Sequence, residues 1–181
     1  MSEQKSNDGN SVKSWFRELV ESVLPALMIV LVVNIFLAQA TRVEGQSMEP
    51  NLHSDQRLII EKISYRLHEP ERGDIIVLRR AAGTTEPLIK RVIALPGETV
   101  EIYNGQVLIN GEPIAEPYLS QSTLGNMPPQ LVPEEHVFVL GDNRRASNDS
   151  RAFGMVAYSD IIGKAWIRYW PPGEFGLVGA H

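Results

Sequence analysis

The chain has no cysteine, which excludes disulfides, thiolate metal sites and a cysteine nucleophile together. Histidine is scarce as well. Only His53, His68, His136 and His181 occur, and none sits in a setting that marks it as a base. His181 is terminal, His68 lies in the charged turn RLHEPERGD, and His136 opens an apolar run. A serine hydrolase of the histidine–aspartate kind therefore has little to work with. No HExxH or comparable metal-ligand motif is present, so neither a metal nor an organic cofactor is expected. Excess positive charge is missing too: the net charge of -5 does not suit a nucleic-acid binder, which needs clustered Lys and Arg against phosphates. Internal repeats and long amphipathic helices are likewise absent.

What is present is enough for one packed domain and an accessory segment. The 181 residues are 43% hydrophobic and 22% charged, a balance that excludes a wholly disordered or fibrous chain. Residues 1 to 14 (MSEQKSNDGNSVKS) are polar and read as a flexible tail. From Ser22 to Thr41 no residue is charged, and a helix of that length spans about 30 Å, the thickness of a bilayer's hydrocarbon core. Only Asn34 and Gln39 interrupt its apolar surface, whereas a buried globular helix of this length would carry a polar face. Pro25 falls in the first turn or so of such a span, where its missing N–H costs least.

Lys13 and Arg17 precede the span and Arg42 alone follows it, so the positive bias puts the N-terminus in the cytoplasm. The expected organisation is a cytoplasmic tail at 1–21, a membrane anchor at 22–41 and an extracytoplasmic domain at 42–181. Membrane lipid is then a partner. A cleavable leader is the alternative, because Ala38-Gln39-Ala40 is a small-x-small site. Leader apolar regions run about 7 to 15 residues, though, and the longer run here fits a retained anchor better.

Beyond residue 42 the pattern turns to short apolar runs: 57–63, 73–80, 88–95, 99–104, 106–111, 136–140 and 163–170. Their length and their β-branched and aromatic content predict strands. Asn104-Gly105 predicts a type I′ hairpin, which needs positive φ at both positions, and Asn110-Gly111 closes the next strand in the same way. Residues 119–133, rich in Ser, Gly and Pro, read as a long surface loop. The fold class is mainly β, a compact antiparallel β domain with one N-terminal transmembrane helix.

Three segments carry candidate chemistry. Ser47 stands in GQSMEPNL directly after the anchor and, by itself, reads as a turn serine among Gly45, Pro50 and Asn51. Lys90 stands in LIKRVIAL, apolar on both faces, with Arg91 pointing to the opposite side. One of these two cations can be structural, reaching an edge or pairing with a carboxylate. A buried lysine, however, loses pKa through desolvation, and its neutral amine can serve as the base for a serine hydroxyl. The third segment, GDNRRASNDSR at 141–151, is either a polar surface loop or a set of side chains placed to bond backbone and cations.

Taken together, GQSMEP after an apolar anchor, LIKRVIALPGE, GDNRRASNDSR and the closing GKAWIRYWP resemble, in order and spacing, the motifs of the bacterial type I signal peptidases. The resemblance runs over about residues 15 to 172. It implies a membrane-bound serine endopeptidase that removes signal peptides from exported precursor proteins after small-x-small sites, by a Ser/Lys dyad through an acyl-enzyme. It implies Ser47 as nucleophile and Lys90 as general base, Ser147 orienting the lysine, and Asp149 with Arg151 bracing the site. Some members carry a serine two residues before the nucleophile that helps bind the oxyanion; here that position is Gly45. It also implies single-pass residence in the plasma (inner) membrane, or in an internal system such as the thylakoid. Two rivals stay open. A self-cleaving repressor-type Ser-Lys protease would need a DNA-binding module and no anchor, and a tethered binding module would use Ser47 and Lys90 only structurally.

Overall fold

The computed structural model describes residues 8–32, 38–79 and 87–179. They fall into two compact units divided after residue 37. The first holds one helix, α1 (Asp8–Val32), with Arg17 and Glu21 paired one turn apart at 2.7 Å. Three expectations are corrected here. Residues 8–14 are helical rather than a flexible tail, and Pro25 lies well inside the helix. Residues 38–41, expected at the end of the apolar span, are extended, because the backbone of 38–42 pairs with a strand. Residues 33–37 of the expected span lie outside the described residues. Among the described residues no helix is long and apolar enough to cross a membrane.

The second unit is built from antiparallel strands. Strands β1 (Ala38–Arg42), β2 (Arg57–Glu61), β3 (Ile75–Leu78) and β4 (Leu88–Ala94) come first, with a short helix, α2 (Ser64–Leu67), between β2 and β3. Then β5 (Thr99–Tyr103), β6 (Gln106–Ile109), β7 (Glu112–Pro113) and β8 (Met127–Leu131) form a small four-stranded sheet in the order β7-β6-β5-β8. The chain returns through β9 (His136–Leu140), a helical turn α3 (Ser150–Phe153), β10 (Val156–Ala157), β11 (Ile161–Trp170) and β12 (Gly176–Leu177). The large sheet runs β1-β2-β11-β3-β4-β9-β10, with β12 added on β11.

All seven predicted strands are present, and the Asn-Gly pairs at 104–105 and 110–111 take the positive φ that their turns require. The loop expected at 119–133 is corrected. Met127–Leu131 is a strand despite Pro128 and Pro129, which is tolerated because β8 is the outer strand of the small sheet and pairs only with β5.

Strand β3 shows why the core is layered. Ile75 and Val77 point into one apolar cluster with Met48, Leu52, Leu58, Ile60 and Ile89. Ile76 and Leu78 point into another with Val92, Val137 and Val139. Both faces of the sheet centre are therefore covered, and β4 is buried from Ile89 onward. A third cluster joins the sheets, with Phe138 and Leu140 of β9 against Val100, Ile102, Val107 and Ile109. Replacing fully buried Phe138 by alanine should open a cavity at this junction and lower the unfolding free energy by about 3–5 kcal/mol, read from denaturant unfolding.

Candidate active site

The turn that carries Ser47 follows β1, and its framework is apolar. Met48 and Leu52 are buried in the first cluster, while the N–H groups of Asn51 and Leu52 both donate to the Met48 carbonyl at 3.0 and 2.9 Å. Gly45 takes φ +80°, a left-handed conformation at which a serine would be strained, and the space around it is open. Ser47 is left half-buried at the surface of this framework.

Lys90 reaches that turn from the middle of β4. Its Nζ lies 2.7 Å from Ser47 Oγ and 2.8 Å from the Ile89 carbonyl, and the residue is 2% exposed. Burial lowers the ammonium to about 8, against a partial upward pull from Asp149 and Asp142. No ion pair holds Lys90 within 4 Å of a carboxylate among the described residues.

Arg91, equally buried, is treated in the opposite way. Its Nε and Nη2 donate to the two oxygens of Asp142 at 2.8 and 2.7 Å, and Nη1 donates to the Gly73 carbonyl. The Tyr118 ring lies 3.9 Å from the guanidinium carbon. Adjacent cations on one strand thus meet different fates: Arg91 is neutralised by a carboxylate fork, while Lys90 has no carboxylate partner among the described residues and its pKa is drawn down to about 8.

The 141–151 loop closes over the serine turn. The Asn143 N–H donates to the Ser47 carbonyl at 3.0 Å, and the Asn51 amide donates to Asp142 Oδ2 at 2.8 Å and to the Tyr118 carbonyl at 2.9 Å. Gly141 lies against the turn so closely that a Cβ there would stand 2.5 Å from the Ser47 carbonyl oxygen and 2.2 Å from Ser147 Oγ. Asp149 is fully buried. Burial alone would raise its carboxyl, but Arg151, donating from Nε and Nη2 at 2.8 Å each, and the Gly141 N–H at 3.0 Å hold it below the usual carboxylate range. Ser147 Oγ is buried beside Gly141 and has no well-aligned hydrogen-bond partner, though it adds a small favourable interaction with Asp149.

Ser47, Lys90, Ser147 and Asp149 are therefore gathered around Gly141 and β4, with Arg151 on the outer side of Asp149. Gly45 contributes backbone shape only. Sequence reasoning missed Asn51, Asp142 and the Arg144–Glu116 pair, in which the Arg144 guanidinium also bonds Thr123 and the Gly141 carbonyl. A signal for Asp142 was available, since two adjacent cations in an apolar strand call for a buried acceptor. Beside the Ser47–Lys90 pair lies a cleft of about 160 Å³ walled by Thr41, Glu44, Pro87, Leu88 and Ile89.

Comparison with known proteins identifies the family. The family model "Signal peptidase, peptidase S26" matches residues 16–170. A signal peptidase I of Leptolyngbya laminosa is 40% identical over 90% of this chain and 83% of its own length. A probable signal peptidase I of Synechocystis is 38% identical over 92% and 88%. A probable thylakoidal processing peptidase of Arabidopsis thaliana is 33% identical, covering all of this chain and 52% of its own. The chain belongs to the S26 family of signal peptidases, and the enzyme it forms is a signal peptidase I. Enzymes of this family remove signal peptides from the precursor proteins that carry them.

The buried lysine has a consequence for stability that does not depend on activity. In the unfolded chain Lys90 holds its proton up to its ordinary value of 10.5, and in the folded chain only to about 8. Between those values the unfolded state binds more protons, so stability rises with pH across that window. Lys90→Met removes the effect. Its melting temperature should exceed that of the wild type most below pH 8, with the gap narrowing towards pH 10.5, as followed by thermal unfolding at several pH values.

Proposed function

We propose that Ser47 is the nucleophile and Lys90 the general base of a membrane-bound signal peptidase, acting through an acyl-enzyme. The observation that carries this reading is the 2.7 Å approach of Lys90 Nζ to Ser47 Oγ, with the lysine buried and its pKa drawn down to about 8. Neutral Nζ accepts the Ser47 proton as Oγ attacks the scissile carbonyl carbon. The same proton passes to the leaving nitrogen as the C–N bond breaks, releasing the mature chain and leaving an ester on Oγ. Water then attacks the ester carbonyl with Nζ as base, and the proton returns to Oγ as the signal peptide departs.

Gly45 brings no side-chain donor to the oxyanion, which leaves that task to backbone N–H groups. The Ser47 N–H has no protein acceptor among the described residues and lies at the reacting atom. Ser147, Asp149 and Arg151 serve as positioning residues: Asp149, fixed by Arg151, holds the Gly141 N–H and so the loop that packs against Ser47. The cleft walled by Pro87, Leu88 and Ile89 suits small apolar side chains before the cut.

The membrane part of the proposal rests on the uncharged run that starts at Ser22. With residues 38–42 in a strand, the anchor is shortened to about residues 22–37, with 1–21 in the cytoplasm and 38–181 outside it. The membrane is the plasma (inner) membrane or a thylakoid, in keeping with the cyanobacterial and plastid relatives. In a flotation assay the full-length chain should rise with lipid vesicles and resist alkaline extraction; recovery in the soluble fraction would remove the anchor.

Ser47→Ala and Lys90→Met should each lower kcat on an Ala-x-Ala peptide by at least about 10³-fold while leaving the fold intact, since the first lacks the nucleophile and the second the base. Wild-type kcat/KM should rise with pH through about 8 and level off above it. A profile that stays flat from about pH 6 to 10 contradicts a lysine base.

A further inference from the structure

The Ser47 turn has a second depression on its other side. It measures about 200 Å³, and its walls include Glu49, Pro50, His53, Gln121, Asn143 and Arg145. Ser47 itself walls the cleft beside Lys90, whereas the residues just after it, Glu49 and Pro50, wall this one. The two are joined through Asn143, whose N–H holds the Ser47 carbonyl at 3.0 Å. A peptide lying extended across Ser47 must continue in both directions, and each residue beyond the cut advances it by about 3.3 Å.

The two depressions differ in chemistry. The first sets the apolar side chains of Pro87, Leu88 and Ile89, which small apolar residues can meet at the signal-peptide end, opposite Thr41, Arg42 and Glu44. The second is polar, and most of its charge is already committed. Asp142 is buried in the fork of Arg91, and Arg144 is buried against Glu116 and the Gly141 carbonyl. Glu49 has His53 Nδ1 3.7 Å away. Arg145 is exposed and has no carboxylate partner among the described residues.

We propose that this second depression receives the first residues of the mature chain, beyond the cut, and that Arg145 makes the enzyme favour acidic side chains there. The inference rests on the assignment of Ser47 as nucleophile. Arg144 and Arg145 divide their work by burial: the first holds the loop in place, and the second presents its charge to the substrate. A specificity of this kind acts on which precursors are matured fastest, and it is independent of the small-residue requirement before the cut.

The test uses purified full-length enzyme in detergent and three peptides that share one Ala-x-Ala leader half. They carry Asp, Asn or Lys at the second and third positions after the cut. The readout is the ratio of kcat/KM for the acidic over the basic peptide. The wild type should give a ratio of roughly 3 or more, as expected for an exposed charge pair. That ratio should fall towards one as salt is raised from about 0.01 to 1 M. Arg145→Ala should bring it close to one at low salt, and Arg145→Glu should invert it. The same ratio in all three enzymes, with Ser47→Ala inactive, overturns the groove assignment and leaves the dyad standing. An active Ser47→Ala enzyme overturns both.

Discussion

Lys90 and Arg91 enter the interior on consecutive residues of β4, and an uncompensated charge there would cost several kcal/mol. Most of the domain around the serine turn answers to this constraint. Asp142 meets Arg91 with both oxygens, Asn51 caps one of those oxygens, and Tyr118 covers the guanidinium with its ring. Lys90 is given only a hydroxyl and a carbonyl, neither of which stabilises an ammonium as a carboxylate would. Asp149 stands near enough to moderate the lysine, but Arg151 and the Gly141 N–H hold that carboxylate in place. The same strand therefore carries a permanent cation, which fastens the loop, and a conditional one available for proton transfer.

The fastening works through short connections rather than through area. One side chain, Asn51, ties the turn after Ser47 both to the loop at Asp142 and to the chain at Tyr118. One missing side chain, at Gly141, lets the loop lie directly on the Ser47 carbonyl. Removing either partner of the Arg91–Asp142 pair would strand a buried charge and cost about 3–5 kcal/mol, so the pair maintains position more than it supplies net stability.

Much of this was legible in the sequence. The seven apolar runs became strands, as their β-branched and aromatic content implied; Lys90 stood out as a cation in an apolar run, and Ser47 was singled out by the family resemblance of its segment. The misses have physical causes. AQAT at 38–41 looked like the end of an apolar helix because pairing with β2 is a tertiary interaction with no local signature. Pro128 and Pro129 concealed β8, since an outer strand can spare the N–H groups that an inner one cannot. Asp142 and Asn51 were hidden for a related reason: their partners lie 51 and 91 positions away along the chain, beyond any periodicity.

The segment between β7 and β8 leaves the small sheet and comes back to the serine turn, where Glu116 grips Arg144 and Tyr118 lies on Arg91. The small sheet contributes none of the reacting groups, yet it sets where that returning segment lies. In genetic terms, conditional alleles of this enzyme belong as much to Val100, Ile102 and Val107 as to the neighbourhood of Ser47. Warming a loosened small sheet would release Glu116 and Tyr118 first and disable the serine turn without any change to its own residues.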